Sequence, residues 1–335
     1  MLFHPGILAL VSGSALVTLM MLYAAVLGAR IIGRWDFQSS SAYQLSLERK
    51  TYLISTIMNY VLGFQIISAL LFIYTVDDIH RLFVGAMCAT GSLNANPVGW
   101  QALLSKIAVC FAAGLWLVLN YLDQKAEDYP LVRLKYSVLL VLLPIIVLDA
   151  FLQMHYFLGL DPDIITSCCG SLFSDEGGGV AGSLAGFPVL PAMVIFYANF
   201  TLILILLLLC LFSQKAFLRY LLTACAATFL FVALAAVVSF ISMYIYELPT
   251  HHCPFDILQR EYGFIGYPLF LSLFCGIFFA LLPGIFHPAA KIISLHKTVP
   301  RLERSWTVLS LGCLVFFVVI TTFHVVSSNL TYFSY

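Results

Sequence analysis

Positions 188–212 read PVLPAMVIFYANFTLILILLLLCLF, a run of 25 residues without a charged side chain. The hydrocarbon core of a bilayer is about 30 Å thick, and about 20 helical residues are needed to cross it. A helix satisfies its own backbone hydrogen bonds, which lipid cannot do. This stretch therefore predicts a membrane-spanning helix.

Seven further stretches have the same character. They are placed at 7–29, 53–75, 101–122, 136–158, 218–246, 264–286 and 306–328. The run at 7–29 exceeds the roughly 7–15 apolar residues of a signal peptide, and no basic residue precedes it, so we interpret it as a retained span. The predicted fold class is all-α: a polytopic membrane protein whose eight transmembrane helices form one integral membrane domain over 1–335.

The composition supports this class and excludes others. Only 10% of the 335 residues are charged and 62% are hydrophobic, whereas a soluble domain carries about 25% charged residues. A soluble enzyme is therefore excluded. The 16 basic residues equal the 16 acidic ones, so nothing indicates a nucleic-acid partner. Neither a Walker motif nor GxGxxG occurs, so we expect the protein to bind no nucleotide. The partner expected from the composition is the lipid bilayer.

The basic residues are unevenly distributed between the two sides of the predicted bundle. Successive loops lie on alternate sides of the membrane, so the basic residues can be assigned to sides. One side has 3 of them, namely Arg81, Lys106 and Arg260, and the other side has 13. Basic residues stay on the cytoplasmic side. The prediction is therefore that both termini lie outside, and that three outer loops form a lid. A bacterial inner membrane is the expected location, with these loops facing the periplasm.

The cysteines and histidines favour the same outer face. Of nine cysteines, five fall inside spans, and none falls in a predicted cytoplasmic loop. The remaining four lie in the outer loops: Cys88, Cys168, Cys169 and Cys253. Met87 precedes Cys88, and His251 and His252 precede Cys253. We therefore expect the chemistry of the protein at this face.

A metal site is the first functional hypothesis for these loops. Thiolate, thioether and imidazole groups select soft ions such as copper or zinc. The candidate ligands are Met87, Cys88, Cys168, Cys169, His251, His252 and Cys253. The expected ion is copper or a similar soft metal, which the protein would bind or pass at or across the membrane. An extracytoplasmic metal-carrying protein is the expected partner.

Thiol redox chemistry is a second hypothesis. The sequence His252-Cys253-Pro254-Phe255 resembles the first half of the Cys-x-x-Cys of quinone-linked membrane disulfide oxidoreductases. That resemblance implies catalytic cysteines, a quinone and an electron-carrying partner protein. Position 256 is Asp, so a resolving cysteine (Cys88, Cys168 or Cys169) would have to come from another loop. Whether the protein is an enzyme is left open.

Two further alternatives remain at this stage. The four loop cysteines are an even number in an oxidising compartment, which is typical of two structural disulfides in a non-catalytic anchor subunit. A b-type haem in an electron-transfer subunit needs two histidines at similar depth, and His155 and His324 both lie near the outer ends of their spans.

Charged residues inside the predicted spans are the last signal. Lys106 and Asp149 both lie some 8–12 Å below the outer boundary, at about 1.5 Å per helical residue, so they can form an ion pair. An intramembrane charge is a functional hypothesis by default because burying it is costly.

Overall fold

The computed structural model describes residues 3–36, 41–161, 163, 166 and 179–330. Within these residues eight helices are long and apolar enough to cross a membrane, and no β-strand occurs. The prediction of an all-α, eight-helix membrane protein is confirmed. The chain is a multi-pass integral membrane protein.

The eight long helices are numbered in chain order. They are α1 Pro5–Arg34, α2 Ala42–Asp78, α3 Gly99–Lys125, α4 Val132–Leu158, α5 Val189–Phe212, α6 Ala216–Tyr246, α7 Gly266–Phe286 and α8 Thr298–Ser327. In α6 a π-helical turn, Val237–Ile241, interrupts the regular helix. A short helix, Ala89–Asn94, lies between α2 and α3.

Helix α2 begins well before the apolar run that predicted it. It starts at Ala42, whereas the predicted span starts at 53. The hydroxyl of Ser41 accepts a hydrogen bond from the backbone N–H of Gln44 at 3.2 Å, which caps the helix. The polar segment therefore continues the span as one helix.

The chain divides into two compact units, and the first contains α1 to α4. It comprises Met1–Leu82, Ser92–Ile164 and Ile292–Leu295. Helix α1 packs on α2 and α4, and α3 packs on α2 and α4, so the four helices close into a ring. Its core is formed by side chains such as Met21, Met58, Trp116 and Leu139.

The second unit contains α5 to α8 together with Phe83–Gly91. Its helices also close into a ring, since α5 packs on α6 and α8, and α7 packs on α6 and α8. A side chain at Gly276 would put a Cβ 2.6 Å from the side chain of Leu314, so the glycine allows α7 and α8 to approach closely. The prediction of one membrane domain over 1–335 stays a prediction.

Aromatic rings fill the centre of the second unit. The ring of Phe196 lies 5.7 Å from that of Phe229, 5.8 Å from Phe240 and 6.0 Å from Phe317, measured between centroids. These contacts join α5, α6 and α8. Because lipid is as apolar as these rings, their packing, rather than escape from water, stabilises the unit.

We predict that Phe229→Ala destabilises the protein by about 2–4 kcal/mol, because it leaves a cavity that the neighbouring rings cannot close. Phe231→Ala, two positions along α6, is the matched control: Phe231 is exposed, whereas Phe229 is fully buried. Unfolding in mixed micelles measures both free energies. Equal losses for the two variants would contradict this account of the core.

Candidate functional site

Two buried thiols meet in the second unit. The Sγ atoms of Cys88 and Cys253 lie 3.5 Å apart, although the residues are 165 positions apart in sequence. Both side chains are fully buried. The hydroxyl of Thr90 is 3.4 Å from the Cys253 sulfur, and the backbone N–H of Phe255 donates to that sulfur at 3.4 Å. The Cys253 sulfur thus has a hydroxyl group and a backbone N–H as polar neighbours besides the sulfur of Cys88.

Tyr246, at the end of α6, holds the segment that carries Cys253. Its hydroxyl donates to the carbonyl oxygen of Cys253 at 2.5 Å and accepts from the backbone N–H of Ile257 at 3.0 Å. Its ring packs against the rings of His251 and Tyr262, with centroids 4.6 and 4.7 Å away. One side chain thus fixes both ends of the segment from Cys253 to Ile257.

The π-helical turn of α6 provides a second anchor. The Nδ1 atom of His252 lies 3.0 Å from the carbonyl oxygen of Val238, which is part of this turn. A carbonyl can only accept, so Nδ1 carries the proton in this contact. Such turns are common near functional sites. Here the turn ties buried His252 to the helix.

The segment carrying Cys88 is held against the α6–α7 loop and against Thr166. The side-chain amide of Gln259 donates to the carbonyl oxygen of Met87 at 2.6 Å. The backbone N–H of Thr166 donates to the carbonyl oxygen of Val84 at 3.1 Å. Residues from all three of the predicted lid loops therefore contact one another in this unit.

Asp256 completes the site. Its Oδ2 atom lies 2.5 Å from Nε2 of His251. Burial raises the pKa of Asp256, but the hydrogen bond from His251 and the adjacent Cys88 and Cys253 thiols outweigh burial, so the pKa lies below its ordinary value. The other carboxylate oxygen, Oδ1, is buried and accepts no hydrogen bond from an N–H or O–H group among the described residues. Besides His251, the hydrogen-bond donors near this carboxylate are therefore the thiols of Cys88 and Cys253.

Cys88, Cys253 and Asp256 form a cluster in which one ligand atom from each residue lies within 4.8 Å of the other two. Two sulfurs 3.5 Å apart that share an ion at about 2.3 Å subtend about 100° there, near the tetrahedral angle. An oxygen bound to the same ion at about 2.1 Å would lie about 3.6 Å from each sulfur. The cluster can therefore close around a zinc-sized ion with small shifts.

The other predicted ligands have different positions. The side chain of Met87 is exposed, and neither His251 nor His252 joins the Cys88–Cys253–Asp256 cluster. His251 instead orients Asp256, as histidines and carboxylates do around metal ligands. Cys168 and Cys169 lie outside the described residues. Metal ligation by these two cysteines therefore stays a prediction.

Sequence reasoning missed Asp256. The residue was considered only as the absent second cysteine of Cys-x-x-Cys. A 3₁₀ turn, Asp256–Leu258, follows Cys253 closely. Since ligands three positions apart can converge in a turn, the spacing Cys253-x-x-Asp256 was the available signal.

No disulfide links cysteines among the described residues, so the side chains of Cys88 and Cys253 are thiols. Reactive thiols are usually partly exposed, whereas these two are fully buried. Their burial therefore differs from that of thiols that exchange directly with a partner protein. Their separation nevertheless permits oxidation to a disulfide after a small movement.

The first unit contains the predicted ion pair. Lys106 Nζ lies 2.7 Å from Asp149 Oδ2, and both side chains are buried. Gln65 donates to Asp149 Oδ2 at 2.9 Å and Ser105 donates to Oδ1 at 2.8 Å. Full hydrogen bonding of the carboxylate explains how a charge is tolerated at this depth.

A second buried pair joins the same two helices. Lys135 of α4 lies 2.6 Å from Asp123 of α3, so the lysine and aspartate have exchanged helices relative to Lys106 and Asp149. The backbone N–H of Leu131 donates to Asp123 Oδ1 at 2.9 Å. Sequence reasoning counted Lys135 only as a charge on the cytoplasmic side. Its burial depends on a partner that sequence position alone does not reveal.

The predicted haem histidines are surface residues within their own units. His155 of α4 is exposed in the first unit, and His324 of α8 is half-buried in the second. The His155 ring is tilted by 45° against that of Phe151, and the His324 ring makes a T-shaped contact with that of Phe323. Haem ligation by these residues stays a prediction.

Comparison with protein-family models, with curated proteins and with solved structures finds no match to this chain.

We predict that Lys106→Met and Asp149→Asn each destabilise the protein by about 3–5 kcal/mol. The first variant leaves the buried Asp149 carboxylate without its cation, and the second leaves the buried Lys106 ammonium without its anion. The double variant should cost clearly less than the sum of the two losses. Lys125→Met, on exposed Lys125 of the same helix, should change stability by less than about 1 kcal/mol. Additive single losses, measured by unfolding in mixed micelles, would show that the pair does not act as a unit.

Proposed function

We propose that this membrane protein binds a thiophilic metal ion of the zinc class through Cys88, Cys253 and Asp256. One observation carries the proposal: two fully buried thiols and a buried carboxylate converge, with one ligand atom of each within 4.8 Å of the other two. Deprotonated thiols and a carboxylate satisfied by a cation would remove the cost of burying these groups together.

The donor set favours zinc over monovalent copper. Soft thiolates suit both ions, but a carboxylate oxygen is a ligand that zinc accepts readily and copper(I) does not. Three protein ligands leave a fourth position, which in zinc sites is commonly taken by water or an exchangeable group. An open position suits an ion that is acquired from, or handed to, another molecule. A soluble extracytoplasmic metal carrier is the partner we propose.

A second candidate function is a dithiol redox pair, which the 3.5 Å separation of the two sulfurs favours. Two thiols would be oxidised to one disulfide while a membrane quinone takes up two electrons and two protons and becomes quinol. Asp256, near both sulfurs, would accept a thiol proton in that reaction. The two functions require different states of the same cysteines, so one experiment separates them.

We predict that protein purified without chelator and loaded with zinc retains about one ion per chain after dialysis. Cys88→Ser, Cys253→Ser and Asp256→Asn should each abolish retention, because each removes a ligand. His251→Ala should weaken affinity about 10- to 100-fold, since it releases the second oxygen of Asp256. Cys225→Ser, a half-buried cysteine of α6, is the matched control and should retain the ion.

The same preparation decides between the two candidates. Bound zinc should protect Cys88 and Cys253 from a soluble quinone analogue, with both thiols recovered on counting. Loss of two thiols per chain with quinol formation, together with no retained zinc, would replace the metal proposal with the redox one. Cys168→Ser and Cys169→Ser test whether either residue supplies the fourth ligand: its loss would lower zinc affinity without changing the helix content.

The proposed orientation has its own test. The excess of basic residues on one side supports an extracytoplasmic position for the metal cluster. A membrane-impermeant thiol reagent applied to intact cells should therefore label a cysteine placed at exposed Met87. A cysteine placed at exposed Lys125 should remain unlabelled until the membrane is opened. The reverse pattern would contradict the proposed orientation. The metal site is tested separately, by zinc retention.

A further inference from the structure

A polar cavity of about 430 Å³ opens in the first unit between the end of α1 and the beginning of α2. Three basic side chains line it: Arg30, Arg34 and Lys50. Tyr43 and Ser46 add two hydroxyl groups. None of the described residues that line the cavity is acidic, so its ligand chemistry is that of an anion with several acceptor oxygens.

The three cations of this cavity have no carboxylate partner among the residues that the structure describes. Arg34 donates to the hydroxyl of Tyr43 at 3.2 Å and lies 5.7 Å from the centroid of its ring. This contact leaves the charge of the exposed guanidinium intact. The planar guanidinium group suits a bidentate contact with phosphate.

The cavity also has an apolar side. Leu27 and Leu47 line it beside the charged groups. On α1, Leu19 and Tyr23 precede Leu27 at four-residue spacing, so they lie on the same helix face, and both are exposed. An apolar stripe on a membrane-spanning helix thus leads to the cations. A free phosphate ion makes no apolar contacts with such a stripe, whereas an acyl chain would pack along it.

We propose that this cavity binds the phosphate headgroup of an anionic membrane phospholipid. Arg30, Arg34 and Lys50 contact the phosphate, Tyr43 and Ser46 bond its remaining oxygens, and an acyl chain lies along Leu19 and Tyr23. Basic pockets beside membrane helices on the cytoplasmic side are suited to such lipids. The proposal is independent of the metal site, which involves other residues in the other unit.

The test is lipid binding by the full-length protein in detergent, measured by native mass spectrometry. Phosphatidylglycerol should bind at least about tenfold more tightly than zwitterionic phosphatidylcholine. The variant R30Q/R34Q/K50Q should weaken phosphatidylglycerol binding about 100-fold, because each cation near a phosphate contributes about fivefold. The control R49Q/K297Q/R304Q removes three exposed charges that do not line the cavity. It should change affinity less than threefold.

A second variant keeps all the cations. Ser46→Trp fills the cavity at an exposed position, so it should abolish selective binding without unfolding the protein, and thermal melting checks that both variants are folded. Equal loss in the control triple variant would show general charge attraction and overturn the proposal. Unchanged binding by Ser46→Trp would also overturn it. Tight binding of inorganic phosphate, without any lipid preference, would assign the cavity to a free anion instead.

Discussion

The structure depends on one constraint: inside a hydrocarbon core, every backbone N–H and C=O group must find its partner within the protein. Helices meet that requirement locally, which is why eight long helices make up most of the described chain. The same constraint acts on side chains. Two ion pairs are buried with their partners hydrogen-bonded to each other: Lys106 with Asp149, and Lys135 with Asp123. Irregular backbone, including the segments that carry Cys88 and Cys253, lies between the long helices.

The spans could be predicted because each one is an uninterrupted apolar run, and membrane thickness sets its length. Other features could not. The early start of α2 depends on the Ser41 cap, and the turn Val237–Ile241 occurs within an apolar sequence that predicts a regular helix. The division into two rings of four helices depends on side-chain packing. No hydropathy pattern reports that packing.

The candidate site was partly visible in the sequence. Because loops alternate between the two sides of the membrane, the sequence predicted Cys88 and Cys253 on the same face. In the structure their sulfurs lie 3.5 Å apart. Asp256 was not foreseen, because its role depends on the turn after Cys253 and on the hydrogen bond from His251. His251 contacts Asp256 and His252 contacts Val238, and metal ligation by these two histidines stays a prediction. A residue type indicates the available chemistry, whereas its neighbours decide how that chemistry is used.

The central claim is that two sulfurs and one carboxylate oxygen share an ion. X-ray absorption at the zinc edge of the loaded protein tests it most directly, because the spectrum reports the type and distance of the bound atoms. The account predicts two sulfur neighbours at about 2.3 Å and oxygen or nitrogen neighbours at about 2.0–2.2 Å, with the sulfur contribution absent in a variant lacking Cys88 and Cys253. A zinc shell of oxygen and nitrogen alone in the unmodified protein would contradict it.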